Sequence, residues 1–378
     1  MPPKDISIIG AGIGGLTMGL FLKQRGISFT LYESTAEIKP VGAGIVMANN
    51  AMQIFKKAGI HQQIEKAGYQ VASMKITDEK LRTISAIQLS GYESRYGVHN
   101  VAIHRADLQK ILAHEIGFDN IRLSKRLSSI VRKEQFILSF EDDTKISTDI
   151  IIGADGIKST VRQQLFHTGK IRDTKQICWR GICSSEMKGK YHHEAYEAWG
   201  KGKRFGFVRI NAEQIYWYAV ANSSLVHSEE ATLTDLFAEF HTDIRHLIHQ
   251  TPGTSVYQSS IIDLKPLSQW VLDDVCLLGD AAHATTPNMG QGACQAIEDA
   301  YVLGELFGKG LPMKDAFIQY QRMRIKKAHA IVNNSWTLGK IAHLENSIGV
   351  KFRNTLLKIA PASANYKQLD NIFNIDYF

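Results

Sequence analysis

Residues 5–26, DISIIGAGIGGLTMGLFLKQRG, contain a short β-branched strand, glycines spaced Gly10-x-Gly12-x-x-Gly15, and an amphipathic helix that stops at Gly26. The first glycine permits a tight turn, the second lets a phosphate approach the backbone, and the third lets the helix pack against the strand. A pyrophosphate at this turn meets free N–H groups and the positive end of the helix dipole. The stretch therefore predicts a strand–turn–helix unit that binds a dinucleotide.

The next strand, SFTLYE, ends in Glu33, 18 residues after the last glycine of the motif. A carboxylate at this position accepts hydrogen bonds from ribose hydroxyls. It also disfavours a 2′-phosphate, so FAD or NAD is favoured over NADP. Residues 6–22 carry no charge, but their five glycines and strand-like start argue against a signal peptide or a membrane span.

Two further stretches have the same strand-then-turn character. Residues 148–165, TDIIIGADGIKSTVRQQL, place Asp155 and Gly156 at the tip of a turn that leads into a predicted helix, although an Asp-Gly pair is also an ordinary turn signal. Residues 274–280, DVCLLGD, end a strand at Asp280. Ligands of open α/β sheets bind where such strands end. One ligand that contacts all three motifs requires a domain built from discontinuous pieces of the chain.

Length, charge and cysteine content narrow the class of protein. A chain of 378 residues exceeds the usual size of a single core, so two domains are expected. The net charge of +7 is spread without long runs, which gives no indication of a nucleic-acid partner. The four cysteines lack metal-ligand spacing, so we predict no metal site, reduced thiols and a cytoplasmic protein.

At this point the chain resembles the FAD-dependent class A flavoprotein monooxygenases, which include p-hydroxybenzoate and salicylate hydroxylases. The resemblance rests on GAGIGGL, GADGIKSTVR, GDAAHATTPNMGQGACQAIEDA and the tail FRNTLLKIAPASANYKQL, in the family's order. It implies an α/β fold: a Rossmann-type FAD-binding domain of the GR2, p-hydroxybenzoate hydroxylase-like kind, an inserted β-sheet substrate domain and a long C-terminal helix. The expected boundaries are 1–70, 99–170 and 269–312 for the FAD domain, 71–98 and 171–268 for the substrate domain, and 313–378 for the C-terminal helical segment.

The resemblance and the chemistry of the residues together predict which positions bind FAD. They lie in the three motifs, at the end of the second strand, at the start of one helix, and in the loop that precedes the helix of the last motif: Gly10, Gly12, Gly14, Gly15, Glu33, Arg105, Gln109, Asp155, Gly156, Gly279, Asp280, Pro287, Gly290, Gln291 and Gly292. Independently of the resemblance, an acceptor-only carboxylate at Asp280 suits a ribityl hydroxyl. Backbone N–H groups of residues 290–293 would stabilise the negative charge of reduced flavin.

No second GxGxxG unit lies between the halves of the chain, so NAD(P)H is expected as a transient co-substrate. The resemblance then implies a monooxygenase that uses O2, through a flavin C4a-hydroperoxide, to hydroxylate an aromatic or heteroaromatic small molecule. A flavin oxidase or dehydrogenase without oxygen insertion is the alternative. The expected assembly is a monomer or weak homodimer.

Arg204, in GKGKRFGFV, and Tyr216, in QIYWYAVA, resemble the catalytic arginine and substrate-contacting tyrosine of bacterial urate hydroxylases. In those roles Arg204 would neutralise and orient an anionic ring while Tyr216 bonds a ring carbonyl. The alternative is a surface arginine and a packed aromatic side chain. Tetracycline-inactivating monooxygenases and aromatic-acid hydroxylases remain open as closer relatives.

Overall fold

The computed structural model describes residues 4–38, 43–184, 187, 189–226 and 232–378. The strands in chain order are β1 (Ile6–Ile9), β2 (Thr30–Tyr32), β3 (Gly44–Met47), β4 (Tyr69–Val71), β5 (Ser73–Asp78), β6 (Thr83–Gln88), β7 (Asn100–His104), β8 (Ile121–Arg122), β9 (Leu127–Arg132), β10 (Phe136–Phe140), β11 (Lys145–Thr148), β12 (Ile150–Gly153), β13 (Ile171–Ser184), β14 (Glu194–Trp199), β15 (Lys203–Arg209), β16 (Gln214–Asn222), β17 (Tyr257–Leu264), β18 (Val271–Leu272) and β19 (Val275–Leu277). The α-helices are α1 (Ile13–Gln24), α2 (Asn49–Lys57), α3 (His61–Ala67), α4 (Ser90–Tyr96), α5 (Arg105–Ile116), α6 (Leu233–Leu236), α7 (Thr242–Gln250), α8 (Asp280–His283), α9 (Gly292–Gly308), α10 (Met313–Ala342), α11 (Ser347–Ile359) and α12 (Ala362–Phe373).

One sheet carries the strands that end in the sequence motifs. Its order is β18-β19-β12-β1-β2-β8, and every neighbouring pair is parallel except β18 with β19. All four residues of β1 and of β12 are buried, as continuous apolar runs are in parallel strands with covered faces. Helix α1 packs against α5 and α9 beside this sheet. The predicted α/β fold with a Rossmann-type unit is confirmed.

A second sheet has the order β17-β13-β16-β15-β14-β5-β6 and takes its strands from residues 73–88 and 171–264. It is antiparallel apart from the β14–β5 pair. Alternate side chains point to opposite faces. On one face, Phe205 and Trp217 form a core that includes side chains of α7. On the other, Val208 and Tyr216 join the core of the first sheet.

We call that second surface the inner face. The residues that share it by strand register are Cys178, Arg180, Ile182, Arg204, Gly206, Val208, Tyr216, Tyr218 and Val220. It packs against the core of the motif-bearing sheet, and its Arg204 side chain contacts Asn288 in the loop before α9.

Two smaller sheets, β3-β7-β4 and β11-β10-β9, complete the strands. The long C-terminal helix predicted from the sequence is α10, which has 30 residues and packs against α9. The helix expected after Asp155 is present as a short π-helical stretch, Arg162–Phe166. Among the described residues, no helix combines the length and apolar character needed to cross a bilayer.

Candidate functional site

The three sequence motifs and Glu33 meet at one edge of the first sheet. Strand register places the last residue of β1 beside Tyr32 of β2 and Gly153 of β12, and places Gly153 beside Leu277 of β19. Gly10 has φ of +107°, and a Cβ there would lie 2.5 Å from the Ala154 carbonyl oxygen. The turn after β1 therefore needs a glycine because it runs directly against the turn after β12.

The glycine-rich turn leaves its backbone open to a ligand. A Cβ on Gly12 would meet no heavy atom within 4 Å, whereas one on Gly15 would lie 2.0 Å from the Gly10 carbonyl oxygen. Glu33 Oε2 accepts a hydrogen bond from Ala11 N–H at 2.7 Å, and Gln109 Nε2 donates to the Ala11 carbonyl at 3.3 Å. Glu33 and Gln109 thus lie directly beside the turn. Gly12, as the N-cap residue of α1, presents the helix start to the open space.

Asp280 begins α8 at the end of β19, and its side chain is exposed. No described residue forms a hydrogen bond or ion pair with its carboxylate. A Cβ on Gly292, at the start of α9, would lie 4.0 Å from Asp280 Oδ1. Gly290 has φ of +62°, and a Cβ there would have no heavy atom within 4 Å. A free carboxylate therefore lies beside an open glycine loop and a helix start.

Asp155 has a different environment from Asp280. Its side chain is half-buried, its Oδ2 accepts from Val161 N–H at 3.1 Å, and desolvation raises the pKa of this carboxyl group. Its Oδ1 has no partner among the described residues. Next to it, Gly156 has φ of +79° and open space where a Cβ would stand. Asp155 organises the turn from within, and the backbone of Gly156 is the part of the motif that a ligand can approach.

The other predicted FAD residues differ in their exposure to solvent. Arg105 is exposed at the start of α5 and has no ion pair within the described ranges, and Pro287 is exposed before α9. Gln291 is buried, and its Oε1 accepts from Asn50 at 3.0 Å and from Gln295 at 3.2 Å. The Gln291 side chain points into the protein, so a contact with a cofactor would come from its backbone.

A buried polar network lies behind the Gly279–Asp280 turn. Asp299, on α9, accepts from Gly279 N–H at 3.0 Å, from Arg324 Nε at 2.7 Å, and shares a 2.5 Å hydrogen bond with His283 Nε2. Burial alone would raise the pKa of Asp299, but His283 and Arg324 lower it to about 2. His283 therefore supports the turn from inside. Sequence reasoning missed Asp299 and Arg324 because their partners lie on other elements.

Arg204 lies on the inner face, but its charge is already paired. Its side chain is 2% exposed, and Nη1 donates to Glu197 Oε1 at 2.9 Å. Nη2 donates to Asn288 Oδ1, in the loop that precedes α9. Nε has no partner in the described part of the chain. Arg204 thus connects the second sheet to the loop beside the strand ends, and Glu197 and Asn288 were not predicted.

The Tyr216 side chain is packed tightly against the protein, unlike a side chain that is free to bind a substrate. A Cβ on Gly44, in β3, would lie 2.4 Å from Tyr216 Cγ, so the ring covers that glycine. Burial raises the pKa of the Tyr216 phenol, and nearby Arg180 opposes this only in part. The structure therefore places Tyr216 and Arg204 on one face, with the tyrosine held against β3.

Tyr218 is an inner-face residue that sequence reasoning passed over. Its ring lies over Gly206, where a Cβ would be 2.1 Å from Tyr218 Cζ. The side chain is half-buried, and its hydroxyl has no hydrogen-bond partner among the described residues. The signal was available, because period-two alternation in YWYAV puts Tyr218 on the same face as Tyr216.

The residues at the strand ends fit FAD. The open turn at Gly12 and the adjacent start of α1 suit a pyrophosphate, Glu33 lies where a ribose would come, and the unpaired Asp280 suits ribityl hydroxyls. The open space at Gly290 gives a flat ring access to the backbone below the inner face. This fold and this edge of the sheet define a flavin-binding protein.

Comparison with known proteins gives the family. Residues 4–335 match the family model described as "FAD binding domain". The chain is 34% identical to the aurachin C monooxygenase/isomerase of Stigmatella aurantiaca over 94% of both chains. It is 28% identical to the 2-heptyl-3-hydroxy-4(1H)-quinolone synthase of Pseudomonas aeruginosa over 97% of both. The solved structure of Klebsiella pneumoniae HpxO complexed with FAD and uric acid superimposes with a TM-score of 0.89 at 25% identity, covering 98% of this chain and 96% of that one.

The chain belongs to this FAD-binding family, and within it to the class A flavoprotein monooxygenases. It is an FAD-dependent monooxygenase, for which NAD(P)H is the co-substrate, so the enzyme class and cofactors predicted from the sequence are confirmed. The individual site residues remain predictions, supported by the geometry above.

Proposed function

We propose that this enzyme hydroxylates a neutral, flat heteroaromatic compound of the 4-quinolone class, held between FAD and the inner face. The relatives support the class, because one of them is named for a 3-hydroxy-4(1H)-quinolone and matches nearly the whole chain. FAD, when bound, supplies the activated oxygen. The protein's part is to bind and orient the ring and to exclude water from it.

The pairing of Arg204 is the observation that carries this proposal. Glu197 neutralises its guanidinium, and Asn288 takes a second N–H. An anionic ring would have to displace Glu197 and leave a half-buried carboxylate without its cation, which is costly. A neutral ring leaves that pair intact. Val208, which lies on the same face and is 5% exposed, adds an apolar side chain near Arg204 rather than a second charge.

Tyr218 is the residue that we assign to the ring carbonyl. Burial, reinforced by the negative charge of Glu197, raises the pKa of the Tyr218 phenol, so the group stays protonated at neutral pH and can donate a hydrogen bond. Its hydroxyl is free of protein partners in the described structure. Arg204 has a positioning role, because it holds the loop before α9. Tyr216 has a packing role against β3.

A substrate panel tests the proposed class. Purified, FAD-loaded enzyme is incubated with a 4-quinolone, urate, salicylate and a tetracycline, and NADH and NADPH oxidation is measured together with the product mass. We expect the quinolone to stimulate the fastest oxidation and to gain one oxygen atom. Preferred hydroxylation of urate or salicylate would contradict the neutral-ring proposal while leaving the monooxygenase class intact.

The substitution Tyr218→Phe tests the carbonyl contact. Loss of one hydrogen bond should raise KM for a carbonyl-bearing ring by about 2- to 12-fold, since such a bond contributes roughly 0.5–1.5 kcal/mol. FAD content and substrate-free reduction by NAD(P)H should not change. Tyr216→Phe is the matched control, with a smaller expected effect on KM. Equal effects of the two substitutions, or a larger effect at Tyr216, would show that Tyr218 does not bind the carbonyl.

A further inference from the structure

Helix α11 exposes an apolar surface that the proposed function does not use. Four of its apolar side chains, Ile348, Phe352, Leu356 and Ile359, are 79%, 64%, 46% and 70% exposed. At 3.6 residues per turn they fall within an arc of about 80°. We call them the α11 apolar stripe. Isolated exposed apolar residues are common, but four aligned on one helix indicate a partner.

The opposite side of α11 anchors the helix to the protein. Val350 and Arg353 are buried, and Arg353 Nη1 donates to the Ala342 carbonyl at 2.7 Å while its guanidinium lies 5.2 Å from the Trp199 ring centroid. The N-terminus is capped by Asn346, which accepts from Ile348 N–H at 2.9 Å. The stripe therefore belongs to a firmly held helix and faces outward.

Charge on α11 distinguishes between possible occupants. Its sequence, SIGVKFRNTLLKI, contains no acidic residue, and its exposed charges are Lys351 and Lys358. Both lysines fall on the same flank of the stripe, about 60–80° from Ile348 around the helix axis. In an antiparallel two-fold pairing of two copies, this flank would face the identical flank of the partner. Lysines would then oppose lysines with no carboxylate on either helix.

A lipid surface has no such conflict. An interfacial helix buries an apolar stripe among acyl chains while lysines at its border reach anionic headgroups. We propose that α11 docks this enzyme onto the surface of an anionic phospholipid bilayer, lying in the plane of the interface. The docking is peripheral and concerns a different surface from the flavin and substrate sites.

Vesicle co-sedimentation of the full-length, FAD-loaded enzyme tests the proposal. We expect binding to phosphatidylcholine vesicles that contain phosphatidylglycerol, and much weaker binding to phosphatidylcholine alone. Lys351→Gln with Lys358→Gln should lower the partition coefficient about 25-fold, because each lysine near an anionic surface contributes about fivefold. Phe352→Ser with Ile359→Ser should lower it by at least about tenfold.

Phe118→Ser is the control, because Phe118 is 59% exposed on a different part of the chain. It should leave vesicle binding unchanged, and all variants should retain bound FAD and turnover. Absence of binding to anionic vesicles would overturn the proposal, as would binding that the α11 variants do not weaken. Concentration-dependent dimerisation that Phe352→Ser with Ile359→Ser abolishes, without vesicle binding, would assign the stripe to a second copy instead.

Discussion

At the scale of single residues, the three aspartates near the flavin edge differ in what they bind. Asp155 and Asp299 have protein partners, whereas Asp280 is exposed and has none among the described residues. A carboxylate without a protein partner, at the end of a parallel strand and beside a helix start, is available to a hydroxylated ligand. Asp280 is therefore free to bind the ribityl chain, as predicted, and Asp155 shapes its own turn.

The substitution Asp280→Ala tests that role. Loss of a hydrogen bond to a charged group, worth roughly 1.5–3 kcal/mol, should weaken FAD binding by about 10- to 100-fold. The measurement is a titration of apoprotein with FAD, followed by flavin fluorescence. Asp370→Ala, on α12, is the control for removing an exposed aspartate. Unchanged FAD affinity in Asp280→Ala would show that this carboxylate does not hold the cofactor.

Residue type could be read from the sequence more readily than residue environment. Asp280 and the glycines were found because each motif is local and its neighbours in sequence are its neighbours in space. The pairing of Arg204 with Glu197 and Asn288 could not be found, because it depends on the β14–β15 register and on a loop 84 residues away in sequence. Tyr218 was within reach of the strand periodicity and was overlooked.

At the scale of elements, two glycines of the β1–α1 unit are needed for different reasons. Gly15 is required by packing, since a Cβ there would clash with the Gly10 carbonyl oxygen at 2.0 Å. Gly12 has free space in the protein itself and is required only if a ligand approaches the backbone. The GxGxxG pattern predicted both positions, but only the structure shows which one the apoprotein needs.

Gly12→Ala and Gly15→Ala should therefore fail differently. Gly12→Ala should fold with nearly unchanged apoprotein stability and lose FAD affinity, because its Cβ would occupy the phosphate position. Gly15→Ala should lower the melting temperature of the apoprotein itself, because helix α1 must shift. Thermal unfolding with and without added FAD measures both effects. Equal destabilisation of the two apoproteins would contradict this assignment.

At the scale of the whole molecule, the Asp299 network joins α8, α9 and α10 behind the flavin edge. His283 and Arg324 lower the pKa of Asp299 to about 2, so the ionised carboxylate is favoured in the folded state. Such a group contributes stability that is present above its unfolded pKa and is lost as the pH falls toward the folded value. No local sequence motif predicts this network. Its residues are spread over positions 279–324 and meet only when α9 and α10 pack together.

Acid unfolding of wild type and Asp299→Asn should show that contribution. Between about pH 5 and pH 2, the free energy of unfolding of the wild type should fall by about 2 kcal/mol more than that of Asp299→Asn, which cannot titrate at this position. Urea unfolding at a series of pH values measures the difference. Parallel pH profiles for the two proteins would indicate that Asp299 does not carry the predicted charge.

In the proposed reaction, the enzyme with FAD bound at this sheet edge inserts one oxygen atom into a neutral heteroaromatic ring held against the inner face. The most direct measurement is a reaction of FAD-loaded enzyme with NAD(P)H and a 4-quinolone under ¹⁸O2. We predict that the product contains one ¹⁸O atom and that product and consumed NAD(P)H are equal in amount. Recovery of unlabelled quinolone, together with hydrogen peroxide equal in amount to the NAD(P)H consumed, would contradict the proposed oxygen insertion.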